Sequence, residues 1–424
     1  ASVDRLIVLV DQPKTATVQI PLPILAAYAG IEGSFFELCV DAGRQVLSAM
    51  MEQDREDLCG PHKKRDPNRK AGRAGSTRSE VTLGGRRIPI KRPRARSVDG
   101  DELTLPSFAF AASRDALDRH TIDAVACGVS NRKYARSLDS LPEEMEERSV
   151  SKSSVSRRYV ALTTKQLTTW LTKPVGDRHF PIVMIDGIIL GDHTVLIALG
   201  IDSEGKKQVL GLREGDTENS HVAKALLRDL VARGLDRDRA RLFVIDGAKA
   251  LRSAIRKIFG NLGVAQRCQL HKQRNILGHL PEGMHESVKA ILKEAWSLSD
   301  AKLARARLER LASSLEADHP GAAASVLEGL EETLTLQSLG IEGTLYRKLR
   351  STNAIENLNS GIATYSKNVK RWQGGSMVVR WVSAAIVEAE KKFRRVQGWR
   401  DIEKLVRALD LFEAKEQATA ERVA

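Results

Sequence analysis

Five apolar runs within residues 181–279 have the length and composition of β-strands, and they constrain the fold more than any other feature of the chain. The first three runs follow one another directly, whereas amphipathic segments separate the third, fourth and fifth. Strands that alternate with helices predict an α/β fold. The runs are PIVMID, HTVLIALGI, KKQVLGL, RLFVID and GVAQRCQL, and the helical segments are NSHVAKALLRDLVARGL and AKALRSAIRKIFG.

The order of three strands, a helix, a strand, a helix and a strand is the ribonuclease-H-like order. In this order the first and fourth strands are neighbours, so the acids that end them, Asp186 and Asp246, are expected to lie close together. A third acid, Glu356, lies far downstream on the polar helix of STNAIENLNSG. Each acid alone is a weak signal, because strand-end aspartates often close turns and a glutamate at this spacing can cap a helix.

Three converging carboxylates repel one another, and a site that holds them needs a counter-charge. Hard divalent cations are the usual counter-charge for oxygen ligands. We therefore expect Mg²⁺ or Mn²⁺, with two ions in the active site, bound by Asp186, Asp246 and Glu356. Two such ions about 3.5–4 Å apart suit the displacement of a phosphodiester.

The net charge of +13 is concentrated in one segment, because thirteen Lys and Arg residues and only two acids lie between Lys63 and Val98. Such a segment neutralises phosphates, so nucleic acid is the expected partner. Its sequence TLGGRRIPIKRPRARS predicts a short hairpin with a basic extension, and a solvated, disordered tail is the alternative. The candidate DNA contacts here are Arg86, Arg87, Lys91, Arg92, Arg94 and Arg96.

A second candidate DNA surface is a helix that begins near Lys152 and carries Arg157 and Arg158 close to its start. This arrangement is typical of a helix-turn-helix recognition helix, and an ordinary helical hairpin is the alternative. The predicted organisation is an N-terminal helical region, a basic segment with short strands, a helix-turn-helix-like domain, a catalytic core in two parts, an all-α insertion and a C-terminal helix. Their ranges are 1–62, 63–113, 114–178, 179–279 with 345–400, 280–344 and 401–424.

Four segments resemble the mutator-type transposases of bacterial insertion sequences, which use an Asp-Asp-Glu triad. They are VMIDG, GLREGDTENSHVAKALLRDLVARGL, VIDGAKALRSAIRKIFGNLGVAQRCQLHKQRNIL and LRSTNAIENLNSGI. The resemblance covers roughly residues 151–402. It implies that Asp186, Asp246 and Glu356 are catalytic metal ligands, and that a helical insertion interrupts a ribonuclease-H-like core.

The third segment contains Cys268-x-x-His271, which lies where that family has its Cys-x-x-His motif. Two ligands of this kind suggest zinc, but a structural zinc site needs four. The pair in CGPH, Cys59 and His62, could complete such a site. The favoured interpretation is instead that Cys268 packs at a strand end and His271 faces the active site, with Lys272 and Arg274 as DNA contacts; a core histidine is the alternative.

The expected function is a DNA transposase that acts on terminal inverted repeats and target DNA as a homodimer. A metal-dependent nuclease or resolvase on the same core, and a non-catalytic DNA-binding repressor, are the alternatives. No apolar run approaches the roughly 20 residues that span a membrane, and no Gly-rich phosphate loop supports the use of ATP. With only four cysteines, a cytoplasmic, DNA-associated protein is expected.

Overall fold

A computed structural model describes residues 32–62, 69–83, 86–113, 152–215 and 220–423. The chain divides into two compact units, residues 1–161 and residues 162–424. Most of the predicted helix-turn-helix region lies outside the described residues. Within them, every helix is too short or too polar to cross a membrane.

Among its described residues up to Ser113, the first unit contains two helices and a three-stranded antiparallel sheet with the order β1-β2-β3. Strands β1 and β2 form the predicted hairpin, but they are long rather than short, because the basic extension continues as strand through Ser97. The sequence DELTLPSFAF forms a two-residue strand and then a helix. The elements are α1 (Glu32–Cys59), β1 (Ala71–Leu83), β2 (Arg86–Ser97), β3 (Glu102–Leu103) and α2 (Pro106–Ser113).

Buried apolar residues and exposed polar or charged residues alternate along much of β2, which explains why this basic segment folds. Ile88, Ile90 and Ala95 point into a small core that also contains Met51 of α1 and Leu105. A strand with one apolar face can bury that face and leave its charges in water. The alternative of a disordered tail is therefore wrong for residues 71–83 and 86–97.

Helix α3 (Lys152–Leu171) begins where the sequence predicts a helix start, and it spans the division between the two units. The second unit then contains a five-stranded sheet flanked by helices, in the predicted order along the chain. The elements are β4 (Ile182–Leu190), β5 (His193–Ile201), β6 (Lys207–Gly215), α4 (Ser220–Ala232), β7 (Arg241–Ile245), α5 (Lys249–Phe259), β8 (Gly263–Arg267) and α6 (Gln269–Leu277).

The strand order in this sheet is β6-β5-β4-β7-β8. Strand β4 pairs antiparallel with β5 and parallel with β7, which confirms that the first and fourth strands are neighbours. Helices α4 and α5 cover one face, where Leu226, Leu230 and Ile255 pack against Val183 and Phe243. The fold is thus mixed α/β, as predicted.

One expectation about β4 is wrong. Asp186 does not end the strand, because Ile188, Ile189 and Leu190 continue to pair with β5 as far as Leu190 opposite His193. Apolar residues on both sides of the Asp-Gly pair sustain the ladder, so Asp186 lies in the strand interior.

Residues 280–344 contain no strand, as predicted, and form a helical block with a hydrophobic core of its own. Its core includes the predicted stripe Ala304, Leu308, Leu311 and Leu315. The helices are α7 (His285–Ser297), α8 (Ala301–Leu315), α9 (Pro320–Leu327), α10 (Leu330–Thr333), α11 (Thr335–Ser338) and α12 (Gly343–Leu349).

Three further helices complete the second unit. They are α13 (Asn353–Ser366), α14 (Gly375–Glu390) and α15 (Ile402–Val423). Helix α13 packs against β4 and α14, and this contact brings the Glu356 segment to the sheet. The predicted C-terminal helix is confirmed.

Candidate active site

Asp186 and Asp246 follow equivalent positions of two parallel strands. The register pairs Ile185 with Ile245, and each aspartate is the next residue. Both side chains line the same small cavity. The parallel register of β4 and β7 therefore places the two aspartates next to each other.

Burial and neighbouring charge raise the pKa of the Asp186 carboxyl to about 6. Burial is the largest cause, the negative charges of Asp246 and Glu356 add to it, and His271 opposes it. A buried carboxyl next to like charges holds its proton more tightly than usual. The site around Asp186 therefore has too little positive charge to balance its carboxylates.

The carboxylate of Asp246 is held by the backbone just beyond it. Its Oδ1 accepts a hydrogen bond of 2.8 Å from the Ala248 amide. Gly247 has a φ of 104°, a conformation that side chains rarely adopt. A Cβ atom there would lie 2.2 Å from Nε of Arg267, so glycine is required both by the backbone and by the packing.

Glu356 occupies the first turn of α13, and its Oε1 accepts a hydrogen bond of 2.6 Å from the Thr352 hydroxyl. Thr352 is the N-cap residue, but no side chain makes a capping hydrogen bond at this end. The carboxylate is therefore not used to cap the helix. Nδ1 of His271 lies 3.9 Å from the same oxygen.

Cys268 and His271 lie beside Glu356. Cys268 is fully buried at the start of α6, with its amide 2.7 Å from the Ile245 carbonyl. Burial alone would raise the pKa of the Cys268 thiol, but hydrogen bonds with His271 and Thr352 outweigh burial and lower it. The hydrogen bond to Cys268 raises the pKa of His271, and the nearby carboxylates reinforce that effect.

The second Cys-x-x-His pair is not part of this cluster as the structure describes it. Cys59 packs in the core of the first unit, among Met51 and the hairpin residues Ile88 and Ile90. The cluster of possible metal ligands within the described residues consists of Cys268, His271 and Glu356.

The prediction that Lys272 contacts DNA is not supported. Lys272 is only 1% exposed, and its Nζ donates to the Glu328 carbonyl in the helical block. Desolvation lowers its pKa to about 8. Its neighbour Arg274 is exposed and remains available for such a contact.

Sequence reasoning missed the role of Arg267, which joins the sheet to the helical block. Its guanidinium donates to the Glu328 carbonyl at 2.9 Å and to the Glu328 carboxylate at 3.3 Å. It is 4% exposed and packs under Gly247. An arginine within a short, otherwise uncharged strand was the available signal, because such a charge must find a partner when buried.

Asn359, one helical turn after Glu356, was also missed. Its Nδ2 donates to Oδ2 of Asp186 at 2.9 Å and to the Gly187 carbonyl at 3.3 Å. Its Oδ1 is buried and has no hydrogen-bond partner among the described residues. The spacing from Glu356 was the signal, because residues three apart share a helix face.

The candidate DNA contacts of the first unit differ in availability. Glu102 binds Arg92 at 2.8 Å and Arg94 at 2.6 Å, and Arg92 also lies over the Phe108 ring. The side chains of Arg86, Lys152 and Arg158 lie outside the described residues. The exposed candidates are Arg87, Lys91, Arg96 and Arg157.

The donor set around Asp186 fits a hard cation. Asp186, Asp246 and Glu356 offer carboxylate oxygens, which Mg²⁺ and Mn²⁺ prefer. Two observations in the structure point the same way: the raised pKa of Asp186 and the unpartnered oxygen of Asn359. A bound cation would lower the pKa of Asp186 again, and it would offer the Asn359 oxygen a partner.

The fold and this site define a class, namely mixed α/β proteins in which the aspartates at two adjacent strands line one cavity and a helix glutamate lies near enough to act on the first of them. Within it, the sequence model of the mutator family of transposases matches residues 29–396, and the chain belongs to this family.

Known relatives are transposases of bacterial insertion sequences. The transposase of insertion sequence element IS256 in transposon Tn4001 from Staphylococcus aureus is 27% identical over 81% of this chain and 87% of its own length. That of ISRM5 from Rhizobium meliloti is 27% identical over 88% of this chain and 92% of its own. That of IST2 from Acidithiobacillus ferrooxidans is 30% identical over 47% of this chain and 66% of its own length.

Proposed function

We propose that this protein is a DNA transposase that cleaves the ends of an insertion sequence and joins the freed 3′-hydroxyl to target DNA. The observation that carries the proposal is the register of β4 and β7, which sets Asp186 beside Asp246 in a member of the mutator family. The strand order β6-β5-β4-β7-β8 supports a ribonuclease-H-like core, interrupted by the helical block before Glu356.

In the proposed site Asp186, Asp246 and Glu356 would hold the divalent ions. Mg²⁺ or Mn²⁺ held there would stabilise the charge that develops on the attacking and leaving oxygens of a phosphodiester. Asn359 orients Asp186, and the Thr352 hydroxyl orients Glu356. The hydrogen bond with Cys268 raises the pKa of His271, and Glu356 and Asp246 raise it too, so this site favours the protonated form of the imidazole more than water does. A water molecule attacks first, and the 3′-hydroxyl that it frees attacks the target strand.

The proposed DNA partners are the terminal inverted repeats and the target. The exposed cations of the β1–β2 hairpin and Arg157 of α3 are the proposed contacts in the first unit, and Arg274 is the one in the second. Two element ends require two active sites, so we propose a homodimer as the smallest working assembly. The proposed chemistry needs no ATP.

The test is cleavage and strand transfer on DNA that carries the element ends, with Mg²⁺ present. Asp186→Ala, Asp246→Ala and Glu356→Ala are each expected to lower cleavage at least ~10³-fold, on the scale of losing one strong transition-state stabiliser. DNA binding should remain intact. Asp238→Ala is the matched control, because Asp238 is an acid of the same unit whose side chain is 85% exposed.

Each alternative function has its own outcome in this experiment. Substantial cleavage by one variant would remove that residue from the triad. Hydrolysis without joining would favour a nuclease or resolvase. Specific binding without cleavage by the unaltered protein would favour a repressor.

A further inference from the structure

Three side chains of different chemistry converge beside the proposed catalytic site. The sulfur of Cys268, a ring nitrogen of His271 and a carboxylate oxygen of Glu356 all lie within 4.8 Å of one another. The Thr352 hydroxyl lies among them, 3.4 Å from the Cys268 sulfur, 3.4 Å from Nδ1 of His271 and 2.6 Å from Oε1 of Glu356. Three potential metal ligands therefore lie around the Thr352 hydroxyl, which is itself a fourth.

Rigid backbone positions these groups. Cys268 and His271 lie at the start of α6, where the Cys268 amide is bonded to Ile245 of β7. Thr352 and Glu356 lie at the start of α13, and the Glu356 amide donates to the Thr352 carbonyl at 2.9 Å. The Gln269 amide donates to the Arg350 carbonyl at 2.9 Å, which fixes the start of α6 against the segment that precedes α13. Preorganised ligands of this kind need only small side-chain movements to close on an ion.

The donor set differs from that of the three carboxylates. A thiolate and an imidazole are ligands for Zn²⁺, and Mg²⁺ prefers oxygen. Tetrahedral Zn²⁺ takes sulfur at about 2.3 Å and nitrogen or oxygen at about 2.0–2.2 Å. Ligands that far from one ion are closer to each other than 4.8 Å, so the site would form if the three side chains drew together and the Thr352 hydroxyl moved outward to make room for the ion.

We propose that Cys268, His271 and Glu356 form a binding site for Zn²⁺, with the Thr352 hydroxyl or a water molecule as the fourth ligand. Binding releases the Cys268 proton to solvent. The site lies within one unit and does not use Cys59 or His62. Because Glu356 belongs to both ligand sets, Zn²⁺ withdraws it from the three-carboxylate site and inhibits Mg²⁺-dependent cleavage. This last consequence rests on the proposed function, whereas the binding site does not.

The binding test uses the full-length protein and Co²⁺, a spectroscopic substitute for Zn²⁺. A thiolate ligand gives Co²⁺ a charge-transfer absorption that oxygen and nitrogen ligands do not. We expect this band in the unaltered protein, its loss on addition of Zn²⁺, and its persistence in excess Mg²⁺. Cys268→Ser should abolish it.

Cys59→Ser is the matched control, because Cys59-x-x-His62 has the same spacing in the other unit. It should keep the band. Glu356→Gln should weaken Co²⁺ binding at least as much as the roughly 10–100-fold that loss of an outer partner costs a metal site. A band that survives Cys268→Ser, or its absence from the unaltered protein with native circular dichroism, would overturn the site. Cys268→Ala with native circular dichroism gives a second variant should Cys268→Ser not fold.

Cleavage assays test the consequence separately. Zn²⁺ added to a Mg²⁺ reaction should inhibit cleavage, and a chelator selective for Zn²⁺ should restore it. If Co²⁺ binds through Cys268 but Zn²⁺ leaves cleavage unchanged, the sharing of Glu356 is wrong. If no cleavage occurs under any condition, the proposed function fails while the Co²⁺ spectrum still decides the site.

Discussion

Asn359 of α13 donates a hydrogen bond of 2.9 Å to the carboxylate of Asp186 in β4. The same amide reaches the Gly187 carbonyl at 3.3 Å. Glu356 lies one turn earlier on the same helix, so one short segment supplies both the third carboxylate and the donor that orients the first. The helix and the sheet are thereby joined at the site itself.

Asn359→Ala should reduce cleavage about 10–100-fold, because a hydrogen bond to a charged group contributes roughly 1.5–3 kcal/mol. The change also removes a donor to the ionised form of Asp186, which raises its pKa further. The acidic limb of the pH–rate profile should therefore move to higher pH. A merely structural role for Asn359 would not move that limb.

The matched control is Ser360→Ala, on the exposed side of the same helix, where the hydroxyl bonds only to the Glu356 carbonyl. It should change cleavage little and leave the pH–rate profile in place. If both variants lost the same amount of cleavage activity and neither shifted the pH–rate profile, Asn359 would not position Asp186.

Asp186→Asn should make the second unit more stable at pH 7.5. In the folded protein the pKa of Asp186 is about 6, above its ordinary value of 3.8. The folded state therefore holds this proton more tightly than the unfolded state, and the stabilisation present below pH 3.8 is lost as the pH rises through 6. Above pH 6, the ionised Asp186 carboxylate lowers the free energy of unfolding by roughly 3 kcal/mol relative to a neutral side chain. Asparagine is neutral at every pH and avoids this loss.

Urea unfolding at pH 7.5 and pH 5 measures this difference. The difference in free energy of unfolding between Asp186→Asn and the unaltered protein should be smaller at pH 5 than at pH 7.5. Millimolar Mg²⁺ should also narrow it at pH 7.5, because a ligand that binds only the folded state stabilises the unaltered protein. Asp238→Asn, at a solvated acid, should differ by less than about 0.5 kcal/mol at both pH values. A gap independent of pH would contradict the interpretation.

Gly247→Ala should destabilise the second unit and reduce cleavage. Backbone strain at a φ of 104° costs about 1–3 kcal/mol. The new Cβ would also displace Arg267, 2.2 Å away, from Glu328 and shift Asp246. Urea unfolding and cleavage rates report the two effects.

A double-mutant cycle separates the strain from the clash. The double variant Gly247→Ala/Arg267→Ala should lose less free energy of unfolding than the two single variants together. The reason is that the truncated side chain at position 267 leaves room for the new methyl group. Gly283→Ala is the control, since a Cβ there meets nothing within 4 Å. Strict additivity would mean that backbone strain accounts for the whole loss.

The sequence predicted the order of the strands and helices well, because apolar runs separated by amphipathic segments are local signals. The position of Asp246 at the end of a strand followed from the same pattern, whereas Glu356 was identified from its polar helix and from the family resemblance. The role of Lys272 could not be predicted, since its partner Glu328 is 56 residues away and only tertiary packing joins them. A basic residue in a motif looks the same whether it binds phosphate or a buried carbonyl.

Asp186 illustrates a different limit. An aspartate followed by glycine usually ends a strand, yet β4 continues because β5 offers partners as far as His193. Tertiary pairing overrides the local preference. The spacing of Asn359 from Glu356 puts both on one helix face, but the hydrogen bond of Asn359 to Asp186 follows only from the packing of α13 on β4.

The exposed cations of the β1–β2 hairpin should provide salt-dependent affinity for DNA. Arg87, Lys91 and Arg96 are exposed, although Arg87 also lies 3.5 Å from the Glu80 carboxylate, whereas Arg92 and Arg94 share an ion pair with Glu102. Each phosphate contact adds about −0.9 to the slope of log K against log salt concentration. Replacing the three exposed cations with alanine should flatten the slope by up to about 3.

Substitution is a better test than deletion here, because Ile88, Ile90 and Ala95 of the same strand belong to the core of the first unit. Glu102→Gln provides the opposite change: it frees Arg92 and Arg94 and should steepen the slope by up to about 2, at 0.9 per contact. Binding titrations on element-end DNA over a range of salt concentrations measure both. An unchanged slope in the triple variant, with Glu102→Gln also without effect, would mean that DNA binds elsewhere on the protein.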